Sequence, residues 1–283
     1  MDRLKTFIRP FVTALCVLGS MTWAQDASAA IKVASWNIQI FGPSKAKNMS
    51  VMKIIVGTLK QYDLVLVQEI RDTTDIARMT LLAHLNAVTG NAYSMIVSNR
   101  LGRTNATEQY AFIYKKSALK VVDSYHHASP DNLFERAPFI VRFSTTQAKV
   151  NDFFVVSSHT DRASVNVEIG SLVKVYDDAV KRWGVIDSVL MGNWNAGCNY
   201  LPKKAWATNP LRKDPRFTWL IGDGTDTTVG KTICAYDRAV VAGSKMTANA
   251  TQGRAVYRYT QPELDTESMR MVSDHYPIEF VIN

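Results

Sequence analysis

Short apolar runs punctuate the chain: IKVASWNI (31–38), DLVLVQEI (63–70), YSMIVS (93–98), YAFIYKK (110–116), PFIVRF (138–143), DFFVVSSH (152–159), SVLMGN (188–193), RAVVAG (238–243) and HYPIEFVI (275–282). Each is rich in β-branched or aromatic residues and bounded by turn formers, the signature of strands buried on both faces. Between them lie stretches with helical periodicity. NMSVMKIIVGTLKQY (48–62) places Val51, Ile54, Ile55 and Leu59 on one predicted face. TTDIARMTLLAHLNAVTG (73–90) offers Ile76, Met79, Leu82, Leu85 and Val88, and VEIGSLVKVYDDAVKRW (167–183) is a third helix. Strands mixed with helices, without strict alternation, predict an α/β fold of sheets covered by helices.

Polar residues gather where the runs end. Asn37 ends the first run, Glu69 the second, and His159 the sixth. Asn193 and Asn195 follow the seventh, Asp237 precedes the eighth, and Asp274 and His275 open the last. One such residue reads equally well as a turn former; their recurrence points to one shared pocket. The chemistry available there is phosphodiester hydrolysis. A divalent cation on oxygen ligands would neutralise charge on the phosphoryl group. One imidazole would take a proton from water and another protonate the leaving oxygen, each oriented by a carboxylate. Of the five histidines, His84 falls in a helical pattern and His126 and His127 in a predicted loop, which leaves His159 and His275.

Length and composition change this picture little: 283 residues without a repeat or linker-like tract read as one domain, 31–283. The first thirty residues differ. Arg3, Lys5 and Arg9 precede the apolar FVTALCVLGSMTWA, and Ala27-Ser28-Ala29 offers a cleavage site, the order of an export signal. A retained N-terminal anchor is the alternative reading. No other segment is a candidate membrane span, so the expectation is a secreted or periplasmic protein. Cleavage would remove Cys16; Cys198 and Cys234 remain, which suggests one disulfide in an oxidising compartment or else two buried thiols. The formal charge of +8 suits a polyanionic partner, though charge alone is weak evidence.

The segments 33-VASWNIQIFG-42, 67-VQEIRD-72, 101-LGR-103 with Glu108, 158-SHT-160, 191-MGNWNAGC-198, 226-DTT-228, 234-CAYDR-238 and 273-SDHYP-277 occur in the order, and over the length, of the secreted deoxyribonuclease I family. The chain closely resembles that family, part of the endonuclease/exonuclease/phosphatase superfamily. The resemblance implies a four-layer α/β/β/α sandwich with its site in a cleft where the loops of two sheets meet. It implies a metal-dependent endodeoxyribonuclease of low sequence specificity, acting mainly on double-stranded DNA as a monomer and leaving 5′-phosphate ends. Residue by residue, Asn37, Glu69 and Asp274 would surround a Mg²⁺ or Mn²⁺ ion. His159 with Glu108 and His275 with Asp237 would form the acid–base pairs, and Asn195 would orient the scissile phosphate. Arg71, Arg103, Arg136 and Tyr200 would face DNA. Cys198 and Cys234 would form the structural disulfide, and Asp226 and Thr228 belong to a segment resembling a structural Ca²⁺ loop.

The chain also departs from the family. Asn193 stands where the family has an aspartate that helps hold the metal and the attacking water. The amide leaves three readings open: tolerated, a weakened nuclease, or a DNA-binding protein without catalysis. A superfamily relative acting on another phosphodiester is a further alternative. Ala106 replaces a tyrosine that packs in the minor groove, so duplex grip should weaken by about 1 kcal/mol. The second disulfide is absent from 126-HHASPDNLFER-136, and Met95-Ile96-Val97 replaces the surface that binds actin in the vertebrate enzyme, so actin binding is not expected.

Overall fold

The computed structural model describes residues 30–128, 131–256 and 264–283; the expected export segment lies outside them. The strands are β1 (Ile31–Phe41), β2 (Leu64–Ile70), β3 (Tyr93–Val97), β4 (Gln109–Lys115), β5 (Lys120–His126) and β6 (Phe139–Ser144). They continue as β7 (Asp152–Ser157), β8 (Ser188–Asn193), β9 (Thr218–Trp219), β10 (Asp237–Ala242), β11 (Arg254–Ala255) and β12 (Ile278–Ile282). The helices are α1 (Pro43–Lys47), α2 (Met49–Leu59), α3 (Ile76–Thr89), α4 (Val165–Trp183), α5 (Lys203–Thr208), α6 (Pro210–Lys213), α7 (Ser244–Asn249) and α8 (Thr266–Val272).

Two mixed six-stranded sheets result, ordered β11-β12-β1-β2-β4-β3 and β5-β6-β7-β8-β10-β9. Leu66, Phe112, Val155, Val189, Met191 and Phe280 pack in the apolar layer between them. On the outer face of the first sheet, Ile55 and Leu59 of α2 and Leu81 and Leu85 of α3 pack on Trp36, Val65 and Val67. On the second, Ile169, Leu172 and Val175 of α4 cover Phe154, Val156 and Leu190. Each sheet therefore buries both faces, which is why its strands read as continuous apolar runs rather than alternating ones. The chain's first and last strands pair antiparallel, Ile31 opposite Ile282, so the described chain closes on itself.

Two local expectations are corrected. Helix α3 buries Ala77, Leu81 and Leu85, whereas Ile76, Met79 and Val88 are 58%, 54% and 62% exposed. Steps of three residues drift by about 60° per step around a helix, so the residues expected on one face cannot share it; steps of four hold the face far better. Residues 120–126, including His126, form edge strand β5 rather than a loop lead-in. None of its residues is buried, and its mixed sequence carries no continuous apolar run.

Candidate active site

Parallel pairing within each sheet brings the site together. β1 runs parallel to β2, and β7 to β8, so the carboxyl ends of all four strands lie toward one edge of the sandwich. Asn193 at the end of β8 is registered against Asp237 at the start of β10. Gly192 allows the closeness: a Cβ there would lie 2.0 Å from the Ser158 carbonyl oxygen, and its φ of 148° disfavours any side chain. Gln68 ties the sheets to each other, donating to the Ser158 carbonyl at 3.0 Å and accepting from the Asn193 N–H at 3.0 Å.

Both imidazole–carboxylate pairs form. His159 Nδ1 lies 2.7 Å from Glu108 Oε1, and His275 Nδ1 lies 2.7 Å from Asp237 Oδ2. All four residues are buried. Nδ1 therefore carries hydrogen, and each Nε2 is turned toward the other pair. Between the two Nε2 atoms sits the Asn193 amide nitrogen, 3.4 Å from His159 and 3.3 Å from His275. The amide orientation is fixed because Asn193 Oδ1 accepts the Asn195 N–H at 3.1 Å. Asn193 thus faces both imidazoles with N–H groups, where a carboxylate would face them with acceptors. Burial alone would lower the His275 pKa, but the Asp237 charge and hydrogen bond, with Asp274 and Glu69, raise it to about 9.

Glu69 and Asp274 supply the anionic oxygens. Glu69 has a left-handed φ of 61° at a bulge in the β1–β2 and β2–β4 pairings, which turns its side chain into the cleft. Its Oε1 accepts from Asn37 at 2.9 Å and its Oε2 from the Ile40 N–H at 2.9 Å. Burial would raise its pKa, but His159, these two hydrogen bonds and Arg71 together hold it below the ordinary value. Asn37 Oδ1 also accepts the Gln39 N–H at 2.9 Å, so the Asn37 amide is held in place while its nitrogen orients Glu69 beside the expected metal position. Asp274 Oδ1 is buried without a hydrogen-bond partner. Among the described residues no group of three or more His, Cys, Asp or Glu is placed to hold a metal. Two carboxylates, one with an unmatched oxygen, fit a hard cation that keeps its remaining positions for water and phosphate.

The residues expected to face DNA divide. Arg71 Nη2 lies 3.6 Å from Glu69 and 3.7 Å from Glu108, at the cleft. Arg136 is 5% exposed; its Nε lies 3.1 Å from Glu108 and its Nη groups reach the His159 and Ala106 carbonyls. It forms part of the floor of the cleft, where it also supplies the cation that the buried Glu108 charge needs. Arg103 is exposed on the loop bearing Ala106, which Glu135 holds through Thr104. Tyr200 packs at a tilt against Tyr236 with centroids 5.4 Å apart, and the Tyr236 ring lies 6.4 Å from that of His275. Asn195 donates to the Thr160 carbonyl at 3.0 Å.

Cys198 and Cys234 are disulfide-bonded, with Cα atoms 5.9 Å apart. Behind the bridge Asp226 Oδ1 accepts from the Thr228 N–H and hydroxyl, both at 3.0 Å. Thr227, not singled out from the sequence, accepts the N–H groups of Tyr236 and Asp237 and so sets the start of β10. Lys45 was also missed: its ammonium donates to the Ile38 and Val272 carbonyls at 3.0 Å and to that of Gln39, linking the end of β1 to α8. A lysine among helix formers carries no sequence signal for this role.

The cleft occupies about 270 Å³ and is lined by Glu69, Arg71, Arg136, His159, Asn195 and Asp274, with Gln39, Ile40 and the segment Thr160–Arg162. A larger cavity of about 560 Å³ beside the disulfide, lined by Trp206, Arg212 and Arg238, contains none of these histidines or metal-site carboxylates.

Residues 34–275 match the model of the endonuclease/exonuclease/phosphatase family. Human deoxyribonuclease gamma is 40% identical over 90% of this chain and 86% of its own length. Rat deoxyribonuclease-1 is 39% identical over 90% of this chain and 92% of its own. The fold is shared with an endonuclease/exonuclease/phosphatase protein from Bacteroides vulgatus, which has a TM-score of 0.60 and 16% identity and covers 90% of this chain and 98% of its own.

Proposed function

The chain belongs to the endonuclease/exonuclease/phosphatase family, and on that premise we propose that it is an endodeoxyribonuclease hydrolysing the phosphodiester bonds of DNA. The observation that carries this reading is the convergence of two imidazole–carboxylate pairs, 2.7 Å each, on the Asn193 amide beside a cleft lined by carboxylates and arginines. This family depends on divalent metal. Glu69 and Asp274 would hold the ion, Mg²⁺ or Mn²⁺, which when bound supplies positive charge to the phosphoryl oxygens. The chain's own residues supply the rest. Asn195, with Arg71 and Arg136, orients a phosphate in the cleft; one imidazole takes the proton of the attacking water, and the other returns one to the departing 3′ oxygen. Product ends would be 5′-phosphate and 3′-hydroxyl.

Finer points belong to the same proposal. The substrate is mainly duplex DNA, the active form a monomer, and actin not a ligand. Export after loss of residues 1–30 follows from the N-terminal pattern, and the mass of the protein recovered outside the cytoplasm checks it. Calcium in the Asp226–Thr232 loop would add stability to a turn that its own hydrogen bonds already close.

One observation favours a second reading, a DNA-binding relative with little catalysis: Asn193 presents N–H groups where an acceptor would help position water. Incubation of residues 31–283 with supercoiled plasmid, Mg²⁺ or Mn²⁺ and Ca²⁺ separates the two. Nicking that a chelator abolishes is expected. Folded protein that binds plasmid without nicking it would leave the binding reading. Release of product from RNA or phospholipid but not DNA would overturn both.

A further inference from the structure

Arg162 received no role from the sequence, yet it lines the same cleft as Asn195, Arg136 and Asp274. Its side chain is exposed, and its guanidinium carbon lies 5.0 Å from the centroid of the Tyr200 ring. That ring packs at a tilt against Tyr236, which in turn approaches His275, so Arg162 ends a chain of ring contacts leading from the cleft rim to an acid–base pair. The turn carrying Arg162 is held. Buried Glu168 accepts the Asp161 N–H at 3.1 Å and the Ser164 hydroxyl, and Asp161 accepts the Ala163 N–H at 2.9 Å. Unlike Arg71 and Arg136, Arg162 has no carboxylate within 4 Å among the described residues.

We propose that Arg162, seated on Tyr200, is a second phosphate subsite of the cleft, binding a DNA backbone phosphate that flanks the scissile one. A guanidinium stacked on a ring keeps its N–H edge free and its rotamers restricted, which suits it to grip a phosphate oxygen. Arg71 stands on the first sheet and Arg162 follows β7 of the second, so the two cations address the backbone from different walls. Phosphate contacts carry no base information. This subsite therefore adds grip without sequence preference, where Ala106 offers only a small side chain to the minor groove.

The inference rests on DNA being the substrate, and the test reads binding apart from cutting. Duplex affinity is measured against salt concentration in a His159→Ala background, with and without Arg162→Ala. Loss of one phosphate contact should lower the slope of log K against log salt by about 0.9, an affinity loss of roughly eightfold at 0.1 M salt. Arg162→Lys should keep the slope, and Tyr200→Leu should keep the slope while weakening binding. In wild-type background, a methylphosphonate beside the scissile phosphate should raise KM, and Arg162→Ala should cancel that penalty. An unchanged slope in Arg162→Ala, or an undiminished methylphosphonate penalty in that variant, would overturn the proposal. Nicking by the otherwise wild-type protein, assayed in parallel, tests the nuclease reading separately: its absence alongside the expected slopes would leave the phosphate subsite standing.

Discussion

The two acid–base pairs have the same geometry and different surroundings. Glu108 shares its charge between His159, Arg136 at 3.1 Å and Arg71 at 3.7 Å. Asp237 is equally buried, but among the described residues His275 is its one ion-pair partner within 4 Å, with Arg238 acting on it from farther away. A carboxylate shared among cations is held by a network, and removing it strands the others. A carboxylate with a single ion-pair partner acts mainly on that imidazole, and, against the effect of burial, Asp237 with Asp274 and Glu69 adding to it raises the His275 pKa to about 9. One sandwich thus builds the same pair once by charge balance and once by isolation.

If both pairs act in catalysis, either imidazole should be indispensable. His159→Ala and His275→Ala should each lower plasmid nicking by about 10²- to 10⁴-fold, and survival of activity in one variant would remove that pair from the mechanism. The network should show itself in stability. Glu108→Gln leaves Arg136 buried without a full counter-charge and should cost about 3–5 kcal/mol in urea unfolding, a loss that adding Arg136→Met largely restores.

The isolated pair should show itself in pH. The His275 pKa is about 9 when folded and near 6.5 when unfolded, so its contribution is complete below pH 6.5 and is lost as pH rises through 9. In chelator, stability should fall by about 3 kcal/mol from pH 6 to pH 10, and Asp237→Asn should flatten that fall. The smallest effect concerns the residue between the pairs. Asn193→Asp replaces N–H groups with acceptors facing both Nε2 atoms and should raise nicking by roughly 10- to 100-fold, with little change in DNA binding. No gain would show that the amide does not limit the reaction.

Much of this site was legible along the chain because each residue sits at the end of a run whose pattern marks a buried strand. Asn37, Glu69, His159, Asn193 and Asp237 were found that way. Arg162 was not, for it lies in a turn, and its meaning comes from Tyr200, thirty-eight positions away in the chain. Arg136 is expected from the sequence only as a DNA-facing residue; its pairing with buried Glu108 depends on tertiary packing. Helix α3 misled for a simpler reason: several apolar residues lie on its outer face, so composition alone could not select the buried stripe.

The sequence by itself determined the buried strands, the main helices, the class of chemistry and the position at which the site departs from its family. These depend on local periodicity and on residue type, which a linear chain displays directly. The tertiary structure alone decided which way the Asn193 amide turns, which carboxylate is shared and which is isolated, and which arginines remain free for a substrate. Those properties are fields and hydrogen bonds between segments far apart in sequence, and they exist only once two sheets have been packed face to face with one cleft at their shared edge.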